Sequence, residues 1–307
     1  MRPTVVILLS DKRSGSTMFQ RELCKHPAIQ TVVYSPHTYL ETHHWLKAAV
    51  LLEKAPATFA GGKTYRGYGS KANARAYLID CIKKNVPDFH VPQNDRALVF
   101  EGWEALCKKY TQPVFFEKSP QFLAQWGALS LLLEWIQQTN FQVKIIGLTR
   151  NPMAVQYSAY QLFHTNPENR QFGWLHTQRN LLAFESLLPA NSFMAVQYEQ
   201  ITQEPSNTFN KICDFIGVSP HSEMGQKVHD QSLNKWIEDP FFQLQLDETI
   251  KQLARHFGYN EKDLFNPKKP EPPFYKRVLR KGKGWLKLFK SRVRDRYIIP
   301  IKNKLIQ

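Results

Sequence analysis

The chain has 307 residues, with 41 Lys+Arg against 26 Asp+Glu and a formal net charge of +15. Apolar residues make up 42% and charged residues 22%, which excludes pervasive disorder, a collagen-like repeat and a disulfide scaffold. Lys268 to Gln307 hold 14 basic and 2 acidic residues, so +12 of the charge lies there and only +3 lies in residues 1–267. The basicity therefore belongs to a tail, and the expected division is a globular domain over 1–266 and a Pro-rich linker with a basic tail over 267–307.

Val5 to Leu9 is a continuous apolar run, the pattern of a strand buried on both faces of a parallel sheet. A polar loop, Ser10 to Gly15, leads into a helix over Ser16 to His26, stopped by Pro27. Ile29 to Tyr34 reads as a second strand, Thr42 to Lys54 as a helix, Gly61 to Gly69 as a loop, and Ala72 to Lys84 as a helix. Ala97 to Phe100 and Val114 to Phe116 read as short strands, Leu129 to Gln138 as a helix, and Val143 to Leu148 as an interior strand. A long helix spans Gly173 to Leu188 and a last strand Phe193 to Val196. Helices follow over Thr208 to Ile216, ended by Gly217, and over Gln243 to Phe257, capped by Gly258. Strands alternating with helices predict a three-layer α/β fold with a doubly wound, mostly parallel sheet. Ligands of such sheets sit beyond the carboxyl ends of the strands.

Four cysteines, Cys24, Cys81, Cys107 and Cys213, show neither CxxC nor zinc spacing and read as reduced, buried thiols. No run reaches the roughly 18 apolar residues of a membrane span. The expected setting is cytoplasmic, with peripheral contact at the inner membrane face. Trp103, Trp126, Trp135 and Trp174 are expected in the core, with Trp236 a weaker candidate for packing near a ligand.

Two loops carry the chemistry. After the first strand comes Asp11-Lys12-Arg13-Ser14-Gly15-Ser16-Thr17, then a helix. Unpaired N–H groups at a helix start, a glycine that permits close approach and nearby cations form an anion cradle. Only one Gly occurs and no Lys follows it, so the nucleotide-triphosphatase loop is absent. After the later strand comes Thr149-Arg150-Asn151-Pro152, with Ser158 about two helical turns further on. Arg150 stands where a triphosphatase would carry an Asp for magnesium, and Arg binds phosphate bidentately without a metal.

Together these loops resemble the sulfotransferases that use 3′-phosphoadenosine-5′-phosphosulfate (PAPS), closer to the carbohydrate-type members than to the small-phenol ones. Arg13-Ser14-Gly15-Ser16-Thr17 is similar to the family's 5′-phosphosulfate loop, and Arg150 with Ser158 to its 3′-phosphate site. Glu117-Lys118-Ser119-Pro120 and Tyr198-Glu199, the latter followed by Pro205 and Phe215-Ile216-Gly217, match two further segments in the family's order. The resemblance implies sulfuryl transfer to a hydroxyl or amine by in-line displacement, with PAPS as donor and no metal. Arg13 and Lys118 would stabilise the transferring group. Ser14 to Thr17, Arg150 and Ser158 would hold the donor, with Tyr198 near the adenine. The acceptor would be a small molecule, glycan or lipid.

In carbohydrate-type relatives a Glu often follows the second strand as base, and here Ser35 stands in that place. His37, Glu41, His43 and His44 are the substitutes, with His37 the first choice because it lies nearest the strand end. If none serves, the chain could be a sulfotransferase-like binding module. A kinase-like nucleotide transferase is the other rival.

Pro267, Pro270, Pro272 and Pro273 mark the linker. Beyond it Trp285, Phe289, Val293 and Tyr297 recur every four residues among Lys and Arg. A basic helix with an apolar stripe suits an anionic membrane surface through residues 275–299; docking on the domain and a solvated or nucleic-acid-binding tail are the alternatives. Arg280-Lys281-Gly282 resembles a 3′-phosphate triplet of small-phenol members, but coincidence within a basic tail is the preferred reading.

Overall fold

The computed structural model describes residues 3–37, 39–55, 70–163, 165–230 and 233–275. The glycine-rich loop over 61–69 and, beyond Tyr275, the basic helix expected over 275–299 lie outside the described residues.

The first element is β1, Thr4–Ser10, every residue of it buried. It runs through Asp11–Gly15 into α1, Ser16–Leu23. Next come β2, Ile29–Gln30, and α2, His44–Leu51. Two longer helices follow, α3, Lys71–Asn85, and α4, Asp95–Tyr110. Strand β3, Val114–Lys118, leads through a 3₁₀ turn at Pro120–Ala124 into α5, Trp126–Gln138. Strand β4, Gln142–Thr149, feeds α6, Pro152–Phe163, and then α7, Pro167–Glu185. Strand β5, Phe193–Gln197, is followed by α8, Tyr198–Gln203, and α9, Pro205–Ile216. Short helices α10, Lys235–Glu238, α11, Glu248–His256, and α12, Glu261–Leu264, complete the order.

The five strands form one parallel sheet in the order β2-β3-β1-β4-β5. Alternate residues of β1 enter separate cores, as the two-residue period of a strand requires. Val5, Ile7 and Leu9 pack with Trp45, Trp103 and Trp135 on one face. Val6 and Leu8 pack with Phe19, Phe116 and Phe209 on the other. A third cluster joins α6, α7, α10 and α11 through Met153, Trp174, Trp236 and Ile250. The chain turns to opposite sides of β1 at its carboxyl end, which is where an open α/β sheet forms a ligand crevice.

Five sequence expectations need correction. Ala97 to Phe100 is not a strand but the first part of α4. Asn94 caps that helix by accepting from the N–H groups of Arg96 and Ala97, and Leu98, Val99, Gly102, Trp103, Leu106 and Tyr110 form its buried stripe. A four-residue apolar window is too short to reveal that period. The second strand stops at Gln30 because the N–H groups of Val33 and Tyr34 leave the sheet for Asn85 Oδ1, at 3.1 and 3.2 Å. The last long helix begins only at Glu248, where the Asp247 side chain caps it. Trp126 is 42% exposed, whereas Trp103, Trp135 and Trp174 are buried as expected. The cysteines are unpaired, with Cys81, Cys107 and Cys213 buried and Cys24 half-buried. None of the helices among the described residues is long and apolar enough to cross a membrane.

Candidate active site

The loop after β1 adopts a conformation that only a small set of residues tolerates. Gly15 has φ 93°, in the left-handed region, and a Cβ there would sit 2.3 Å from the Tyr198 ring. Both facts require glycine. Arg13 also has positive φ, at 75°, an unusual state for a residue with a Cβ. Arg170, on α7, holds this loop from below. Its guanidinium donates to Asp11 Oδ2 at 2.9 Å and to the Lys12 carbonyl at 3.0 Å.

The loops after β1 and β4 are latched together. Arg13 Nε donates to Ser158 Oγ at 3.1 Å, and Arg150 donates to the Arg13 carbonyl at 3.0 Å. Arg150 stacks 4.2 Å above the Tyr198 ring. Glu199 completes the frame by accepting from the Asn151 N–H at 3.1 Å and from Tyr259 Oη at 2.8 Å. Burial and the neighbouring Arg150 charge lower the Arg13 pKa, and burial likewise lowers that of Arg150.

A cavity of about 600 Å³ opens here, lined by Arg13, Gly15, Ser16, Thr17, Arg150, Ser158 and Tyr198. Its volume lies in the range of small-ligand sites. Ser14 is buried, off the cavity wall, and its N–H donates to the Asp11 carbonyl at 3.3 Å. Ala154, Tyr157 and Gln161 also line the cavity and escaped the sequence reading. With Ser158 they fall at helical spacing on one face of α6, a signal the sequence did contain. Lys235 lines it too and had no such signal; the adjacent Trp236 is buried in the cluster that contains Ala154.

A second constellation forms where β3 ends. Lys118 pairs with Leu8 across the β1–β3 ladder. Its fully buried ammonium is 2.7 Å from Glu41 Oε1. Glu41 Oε2 lies 3.0 Å from His43 Nε2 and 3.4 Å from His37 Nδ1. Burial raises the Glu41 pKa, but the His43 hydrogen bond and the Lys118 charge overcome it and bring the carboxyl to about 2. Burial depresses His37 to about 4, helped by the His43 and Lys118 charges and opposed by Glu41. Burial also lowers His43. His44 points elsewhere: its ring bonds the Val99 carbonyl at 2.9 Å and packs on Trp103, and burial lowers its pKa to about 4.

Ser35 has a different use from the expected Glu. Its hydroxyl donates to the Glu41 carbonyl at 2.5 Å and accepts from the His37 N–H at 3.0 Å, closing a turn that brings Glu41 under Lys118. Glu117 anchors the same segment. Its Oε1 accepts from Thr42 N–H at 3.2 Å, Thr42 Oγ1 at 2.8 Å and Ser119 Oγ at 2.6 Å, while Ser119 Oγ accepts from the His43 N–H at 3.1 Å. Burial pushes the Glu117 carboxyl up to about 7 against those hydrogen bonds.

No curated protein gives a significant match to this chain. Among solved structures the chain is similar to the sulfotransferase domain of the Synechococcus PCC 7002 olefin synthase, at 21% identity and a TM-score of 0.56, covering 84% of this chain and 96% of that one. It is also similar to the sulfotransferase domain of the curacin biosynthetic pathway, at 17% identity and a TM-score of 0.55, covering 84% and 98%. These likenesses agree with the fold. The model of the sulfotransferase family matches residues 3–223, which include the Lys118 constellation and every cavity residue named above except Lys235, and the chain belongs to the sulfotransferase family of enzymes.

Proposed function

We propose that this sulfotransferase moves a sulfuryl group from PAPS to a hydroxyl or amine of a small-molecule, glycan or lipid acceptor. The observation that carries this reading is the latch between Arg13 and Ser158, which sets two cationic strand ends on one nucleotide-sized cavity. Gly15 leaves room where a Cβ would block approach, the cradle a phosphosulfate requires. PAPS, when bound, supplies the activated sulfuryl group and an adenosine 3′,5′-bisphosphate leaving group.

The chain's own residues would then work by positioning and charge. Arg13 and the N–H groups opening α1 hold the 5′ end of the donor, with Ser14 shaping the loop. Arg150 and Ser158 hold the 3′-phosphate, and Tyr198 supports Arg150 and the adenine. Lys118, fixed by Glu41, faces the developing charge. His37 is the base because it is the accessible imidazole of the pair on Glu41: its side chain is 32% exposed against 3% for His43. A proton resting on His37 Nδ1, toward Glu41, leaves Nε2 to accept from the acceptor hydroxyl. Cations rather than carboxylates face the donor, since Asp11 is bonded to Arg170. A transferring sulfuryl carries less charge than a phosphoryl, which suits transfer without a metal.

The test is thermal denaturation with adenosine 3′,5′-bisphosphate against ATP and magnesium. A ligand at 100-fold its dissociation constant adds about 2.7 kcal/mol, several degrees for a chain of this size. Stabilisation by the bisphosphate supports the reading. Stabilisation by ATP and magnesium alone would replace it with a kinase-like transferase.

A further inference from the structure

Three side chains between β2 and α2 converge on one point. His37 Nδ1 is 3.4 Å and His43 Nε2 is 3.0 Å from the same oxygen of Glu41. All three donor atoms lie within 4.8 Å of one another. In a tetrahedral shell with bonds of about 2.0–2.1 Å, neighbouring ligand atoms stand about 3.3 Å apart. The two edges at Glu41 bracket that value, and the third, between the two imidazole nitrogens, is no longer than 4.8 Å, so rotation of the half-exposed His37 ring would close the shell. Two imidazoles and one carboxylate make a mixed donor set that suits zinc and leaves a fourth position open.

The surroundings are those of a prepared site. Glu41 Oε1 is held by Lys118 at 2.7 Å, which aims Oε2 at the imidazoles as an outer partner aims a ligating carboxylate. The His43 backbone, at φ 50°, is tied to Ser119. His37 Nδ1 is buried and meets Glu41 Oε2 only at 3.4 Å, without the geometry of a hydrogen bond. The Lys118 ammonium opposes a cation, so binding is weaker than at a dedicated structural zinc site.

We propose that His37, Glu41 and His43 form a binding site for a divalent cation of the zinc class, and that occupancy shuts off proton acceptance at His37. Coordination through Nδ1 puts the ring proton on Nε2, the atom that otherwise takes the acceptor's proton. The blocking half rests on the base assignment above, whereas the binding half does not.

The full-length chain is dialysed against Zn²⁺ and its metal content measured, then titrated with Co²⁺ to read the visible absorption of a four-coordinate ion. One bound equivalent is expected, with affinity at least about tenfold lower in His37→Ala and His43→Ala. His221→Ala, outside the cluster, should bind like the unmodified chain. Circular dichroism checks folding, and half-exposed His37 is the position where replacement disturbs packing least. Absence of bound Zn²⁺, or unchanged binding in His37→Ala, overturns the site. Bisphosphate binding measured on the same samples keeps the two readings apart: its loss with Zn²⁺ binding intact defeats the donor assignment alone. Turnover unaffected by saturating Zn²⁺ would overturn the blocking half.

Discussion

The Lys118 ammonium is buried 2.7 Å from Glu41 Oε1, a contact between residues 77 positions apart in the chain. Neither charge has much access to water, so each depends on the other. Lys118→Met should cost about 3–5 kcal/mol of stability, because it leaves a buried carboxylate without its counter-ion. Adding Glu41→Gln should recover much of that loss without restoring activity. Turnover of Lys118→Met should fall on the order of 100-fold or more. Denaturant unfolding and turnover of the single and double variants test this; near-normal turnover in folded Lys118→Met would remove Lys118 from the chemistry.

The latch predicts separable defects. Arg13→Ala should lower turnover about 100-fold. Arg150→Ala should weaken adenosine 3′,5′-bisphosphate binding by about 1.5–3 kcal/mol, the range for hydrogen bonds to charged groups. Calorimetric titration of both variants checks the second effect. Unchanged affinity in Arg150→Ala would move the 3′-phosphate elsewhere.

Gly15→Ala should damage the cradle in two ways. The left-handed backbone costs a residue with a Cβ about 1–2 kcal/mol, and the methyl would collide with the Tyr198 ring. The double variant Gly15→Ala/Tyr198→Ala removes the collision but not the strain, so its melting temperature should recover only in part. Full recovery would show that the collision alone matters.

The pH dependence of turnover distinguishes a base whose pKa is depressed by its surroundings from an ordinary histidine. With the His37 pKa held at about 4, the neutral base persists well below the usual histidine range. The acid limb of kcat/KM should then fall near pH 4 rather than near 6.5. The same depression has a stability consequence. Between those pH values the folded His37 binds fewer protons than the unfolded one, so its contribution to stability fades as pH drops through that window.

Glu117 acts with the opposite sign. Its folded pKa of about 7 exceeds the ordinary 4.5, so the folded state binds more protons between those values. Stability should decline as pH rises from about 4.5 to 7. Glu117→Gln should flatten that decline, read from unfolding midpoints across the range; an unchanged slope would assign it to other groups.

Local periodicity determined much of this protein. The apolar run Val5–Leu9 determines a buried strand because every residue in it faces one of two cores. Arg13–Thr17 and Arg150–Ser158 were legible because a strand, a short loop and a helix lie contiguously in the chain, and each loop carries its own cation. Tertiary structure alone decided the rest. The stripe of α4 emerges over 16 residues, and a four-residue window hid it. Ser35, a misplaced residue when sought as a base, holds the turn that delivers Glu41 six positions later. That Glu41 meets Lys118, that His37 and His43 flank one oxygen, and that Glu117 pins Thr42 and Ser119 follow from the β1–β3 register and the loop packed against it. Periodicity reports which face a residue takes within its own element. It carries no information about which distant loop the sheet will set against that face.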